Sequence, residues 1–92
     1  MLNSEALKKE GLFIAVVSIA YNITGNSVSD LSTACSRNKS TELGIVGVSG
    51  LTSVCSVRQS YVAEGKVYIS VYNRGTGASS GTCNVRVLYK AK

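Results

Sequence analysis

Chemistry in this chain would have to come from three cysteines (Cys35, Cys55, Cys83), five carboxylates (Glu5, Glu10, Asp30, Glu42, Glu64) and five tyrosines, because its 92 residues include no histidine. That absence removes a His-based acid/base catalyst, a Cys/His zinc site and a Ser-His-Asp triad. The cysteines are separated by 19 and 27 residues, with no C-x-x-C pair. A domain stapled by disulfides carries an even number, so three read as small buried hydrophobes in a reducing compartment; whether Cys55 and Cys83 are bridged stays open. Each carboxylate is isolated beside a turn or a terminal segment, and nothing local makes two of them converge as general acid/base work requires. Gly75-Thr76-Gly77 lacks the further glycine and the Lys-Ser/Thr of a phosphate cradle. The chain therefore reads as non-enzymatic, with no cofactor and no metal.

The tyrosines point elsewhere. Five of them (Tyr21, Tyr61, Tyr68, Tyr72, Tyr89) against one phenylalanine is a high ratio for a core, since each buried hydroxyl needs a partner. Some should lie at an edge or interface. Tyr68 and Tyr72 fall on one face of a strand, opposite Val67, Ile69 and Val71, and Arg58 or Arg86 is near enough in principle to stack on them. Such a Tyr/Arg patch suits subunit contact, and a carbohydrate platform would use the same groups.

These side chains must be positioned by strands. Residues 1–11 read as an N-terminal arm or one helical turn, and residues 12–92 as a single domain. From Leu12 to Thr24 the odd positions Phe13, Ala15, Val17, Ile19, Tyr21 and Ile23 are all apolar. The even positions start apolar (Leu12, Ile14, Val16) and turn polar from Ser18, which predicts a strand whose first half is apolar on both faces. Another sheet or another subunit should cover that outer side, so that a lone copy is incomplete. An isolated copy showing Leu12, Ile14 and Val16 bare to water, or burying them fully beneath its own polypeptide, would count against this.

Val28 to Ser40 reads as a short strand or loop, and Leu43 to Ser49 as a short run broken by Gly44 and Gly47. In Val54 to Val62, Cys55, Val57 and Tyr61 should face inward. Glu64-Gly65 closes a tight turn before the strand Lys66 to Asn73. A ten-residue loop, Asn73 to Thr82, then leads to a last strand, pairing with its predecessor as a hairpin. About six short strands and almost no helix predict an all-β fold, a small antiparallel β-sandwich of jelly-roll-like or Ig-like form.

Net charge is +5, but the ten basic residues are scattered and no run exceeds Lys8-Lys9, which argues against a nucleic-acid partner. Gly11 to Ser29 is uncharged yet holds too many polar residues for the roughly 20 apolar ones a membrane span needs. Glu5 and Glu10 interrupt what would otherwise be the basic region of a signal peptide.

The layout Gly44-Ile45-Val46-Gly47-Val48-Ser49, Ser60-Tyr61-Val62, Gly65-Lys66-Val67-Tyr68-Ile69-Ser70-Val71-Tyr72-Asn73, a small-residue loop and Thr82-Cys83-Asn84-Val85-Arg86-Val87-Leu88-Tyr89 resembles the small all-β virion proteins of tailed bacteriophages. Val17 to Gly25 is similar to the strand that opens that domain. The resemblance covers roughly residues 13–90 and implies a virion structural role, as a capsid decoration, head fibre, or tail or collar component assembled in the host cytoplasm. It also implies a symmetric homo-oligomer, with a trimer expected. The candidate contact residues are then Leu12, Ile14 and Val16 on the first strand and Tyr68, Tyr72, Arg58 and Arg86 on the tyrosine face. Lys8 and Lys9 on the arm would meet other virion proteins. A surface carbohydrate-binding or adhesin module is the alternative.

Overall fold

Period-two sequence becomes strand where the expected alternation is cleanest. In the computed structural model, which describes residues 11–91, β1 (Leu12–Ile23) turns Phe13, Ala15, Val17, Ile19, Tyr21 and Ile23 inward. Expectations placed on the arm, Lys8 and Lys9 included, lie outside the described residues except at Gly11, which forms the turn before β1. The remaining strands are β2 (Ser27–Ala34), β3 (Ser40–Ser49), β4 (Cys55–Ala63), β5 (Lys66–Asn73) and β6 (Ser79–Ala91). They form two three-stranded antiparallel sheets, ordered β1-β6-β3 and β2-β5-β4. The fold is all-β and a small sandwich, as the strand count and turn chemistry predict.

The wrapping is nested, with β1 on β6 and β2 on β5, in jelly-roll-like fashion. Every connection crosses between sheets except the β4–β5 hairpin. There Glu64 and Gly65 both take positive φ (52° and 74°), the two-residue turn whose twist matches its flanking strands. The expected hairpin of the last two strands is corrected: β5 and β6 are the central strands of different sheets. Local alternation tells that each is a strand but carries no information on which sheet receives it. The ten-residue loop also shrinks, because Ser79 to Thr82 pair with Ala20 to Ile23 and extend β6.

The core is supplied mainly by the two central strands, flanked on both sides. Val67, Val71, Cys83, Val85, Val87 and Tyr89 are fully buried, joined by Ile19, Tyr21 and Ile23 from β1. Tyr89 stacks on Phe13 (centroids 5.1 Å apart) and donates its hydroxyl to the Cys35 carbonyl at 2.5 Å. Asn73 is the one fully buried polar side chain among the described residues. Its amide nitrogen donates to the Ile23 and Gly77 carbonyls (3.0 Å each) and its oxygen accepts from the Gly75 N–H (2.9 Å), so it ties β1 to the β5–β6 connection. Among the described residues no buried side-chain polar atom is left without a partner.

Two features of the edges go beyond the sequence reading or depart from it. β2, the segment read as a short strand or loop, is an eight-residue strand; its inward positions Ser29 and Thr33 are too small and polar to show a period by composition. In β4 a bulge at Arg58 lets Val57 pair with Val71 and Gln59 with Ser70. One extra residue reverses the facing of everything beyond it, so Val62 packs on the core while Tyr61, expected inward, points out. Cys55 keeps its inward place, and Val57 lies at the exposed rim of this edge strand. β3 carries two more bulges, at Leu43 and Val46, whereas β1 and β2 run in unbroken register.

The expected enclosure of β1 on both faces is likewise corrected for the single chain. Its inner face packs on the second sheet, but Ile14 and Val16 remain 43% and 55% exposed on the outer face, and Leu12 is only half-buried. Among the described residues no second sheet covers them, so the outcome that counts against enclosure is met at Ile14 and Val16, and only a second copy could close that side.

Candidate functional site

The nucleophiles and carboxylates hold no catalytic arrangement among the described residues. All three cysteines are free, which answers the Cys55–Cys83 question with two separate thiols. Burial pushes the Cys83 thiol up; burial first, then the Glu42 charge, does the same to Cys35. Buried thiols of this kind are inert. Burial also raises the Tyr89 phenol, partly offset by Arg37, whose guanidinium lies 5.6 Å from the ring centroid. No group of three His, Cys, Asp or Glu side chains that could hold a metal occurs among the described residues, and no helix there is long and apolar enough to cross a membrane.

What remains are the two outer sheet faces. On the β1-β6-β3 sheet the register sets Leu12 beside Lys90 and Thr41, Ile14 beside Leu88 and Gly44, and Val16 beside Arg86 and Gly47. Ser18 and Asn84 follow, hydrogen-bonded at 2.9 Å. Leu43 and Val46, the extra residues of the two β3 bulges, are 50% and 49% exposed. The Arg86 guanidinium lies over Gly47 and would have to swing aside for any side chain there. Half of this face is thus apolar where an open antiparallel sheet ordinarily presents polar residues.

On the β2-β5-β4 sheet the outward rows read Val28, Tyr72, Ser56; then Asp30, Ser70, Gln59; then Ser32, Tyr68, Tyr61. Tyr61 and Tyr68 are direct cross-strand partners and stack with centroids 5.0 Å apart and planes 17° apart. Beside them a hollow of about 330 Å³ opens, lined by Asp30, Ser32, Gln59, Tyr61 and Tyr68, with the sheet at Leu31 and Ile69 as its floor.

The candidate contact residues therefore do not form one site. Leu12, Ile14, Val16 and Arg86 lie on the first sheet, while Tyr68, Tyr72 and Arg58 belong to the second. Tyr68 and Tyr72 do share the outer face of β5, as expected. Arg86 stands on the opposite sheet and cannot stack on them, which corrects that pairing. Tyr61, Asp30, Ser32 and Gln59 were not among the candidate contact residues, since a bulge places the first and the last, and β2, read only as a short strand or loop, showed no alternation to place the others. No protein-family model matches the chain, and no curated protein and no solved structure matches it either.

Proposed function

We propose that this chain is a non-enzymatic virion structural protein of the tailed-bacteriophage type, acting by self-association through the outer face of the β1-β6-β3 sheet. One observation carries the reading: Ile14 and Val16 stand exposed on a strand with no charge along its twelve residues, near exposed Leu43 and Val46. Apolar surface gathered on one face is the usual mark of a contact between proteins. The virion setting comes from the strand-and-turn resemblance, which also suggests a trimer.

The two faces lie on opposite sides of a slab 47 × 27 × 17 Å in extent. Copies pairing one outer face with the opposite one would stack head to tail into an open filament, whereas a closed trimer would join different parts of the apolar face around its axis. The apolar face is the one whose burial is favourable without further partners. Bare residues on an isolated copy fit an unpaired monomer as well, which makes oligomeric state the deciding measurement. Sedimentation equilibrium of the full chain should show a concentration-dependent oligomer; a monomer at every concentration would overturn the proposal.

A further inference from the structure

We propose that the hollow on the outer face of the β2-β5-β4 sheet is a binding site for a neutral saccharide. It lies on the face opposite the self-association surface and does not depend on it. Tyr61 covers one face of the Tyr68 ring, and the two nearly parallel rings stack into an apolar wall. Around that wall stand an acceptor-only carboxylate (Asp30), an amide that both donates and accepts (Gln59) and a hydroxyl (Ser32). Among the described residues, none of these three side chains, and neither phenol, is engaged in an internal hydrogen bond. Their bonding capacity faces outward.

A pyranose matches this set, with a flat C–H face to lie on an aromatic wall and a rim of hydroxyls that donate and accept. The cleft is at the small end of the range for ligand sites, which suits one or two sugar units rather than a long chain. An ammonium ligand fits less well, because a cation cage needs rings set around the charge, and here the two rings face each other. An acidic sugar or phosphate is disfavoured by Asp30, the single charge in the lining; Arg58 and Lys66 lie outside it.

The test is a ¹H–¹⁵N NMR titration of the full chain with the methyl glycosides of glucose, galactose and N-acetylglucosamine and their short oligomers, with sialyllactose and choline as separate arms. The site predicts millimolar binding of at least one neutral sugar, with shifts centred on Asp30, Ser32, Gln59, Tyr61 and Tyr68. Tyr68→Ala and Asp30→Asn should weaken it about tenfold or more, while Tyr72→Ala, on a different row, leaves it unchanged. Should Tyr68→Ala lose its dispersed spectrum, Asp30→Asn and Gln59→Ala at exposed edge positions carry the test. No shift with any neutral sugar, a response to choline or sialyllactose alone, or equal weakening by Tyr72→Ala would overturn the proposal. Because Val16→Lys alters only the opposite sheet, sugar binding that persists in that variant separates this site from self-association.

Discussion

Replacing Val16 with lysine should abolish the proposed self-association while leaving the fold intact. Fully burying a valine, leucine or isoleucine side chain contributes about 1.5–3 kcal/mol. Ile14, Val16, Leu43 and Val46 have 43–55% of their surface left to bury, so each would add about 0.6–1.7 kcal/mol and the four together about 3–6 kcal/mol per subunit. Val16→Lys removes about 0.8–1.7 kcal/mol from each side of a contact, raising Kd by roughly fifteen- to three-hundred-fold before any charge repulsion. Folding stability should move by no more than about 0.5 kcal/mol, since the position is on the surface. Sedimentation velocity over a wide concentration range, paired with urea denaturation, reads both. An oligomer of equal affinity in wild type and variant would refute the assignment of this face, and a variant that unfolds would refute the surface placement of Val16.

Asn73→Ala should cost about 2–4 kcal/mol, because it strands the Ile23 and Gly77 carbonyls and the Gly75 N–H; a thermal melt should fall by roughly 10–30 °C, and a shift of only a degree or two would contradict the clamp. Glu64→Asn should stabilise by about 0.5–1 kcal/mol, since asparagine tolerates the left-handed backbone there; denaturant midpoints decide it. Alkylation of the native protein at pH 8 should modify Cys55 alone, with Cys35 and Cys83 reacting only in urea, as mass spectrometry would show; rapid triple labelling would contradict their burial. The raised thiols and the Tyr89 phenol stay protonated in the fold while the unfolded chain ionises first. Stability is therefore complete below about pH 8.5 and falls as pH climbs toward the folded values, so a melt series rising from pH 8 to 11 would refute the sign.

How much of this could be read from residues alone follows from where each strand sits. β1, β5 and β6 pack one face on the core with large apolar residues, so Val67, Ile69, Val71 and Cys83, Val85, Val87, Tyr89 announce their period of two. β2 sits at an edge and turns Ser29 and Thr33 inward, which leaves no hydrophobic contrast to detect. The tyrosine face was half legible. Tyr68 and Tyr72 follow from the alternation of β5, but Tyr61 depends on a bulge at Arg58 that no residue type signals. Pairing partners were the least accessible, because β5 and β6 meet different sheets through contacts remote in sequence. The hollow inherits that difficulty, being assembled from three strands at once.

Among the described residues β6 is the sole partner of both β1 and β3. On a ribosome adding roughly 5–20 residues per second, the stretch from Ile23 to Ser79 takes roughly 3–11 s to make, and throughout it the first strand has nothing to zip against. Half of the molecule thus matures only after translation has passed the final ribbon. In that interval a nascent neighbour or a chaperone has its best chance to claim the unclosed seam.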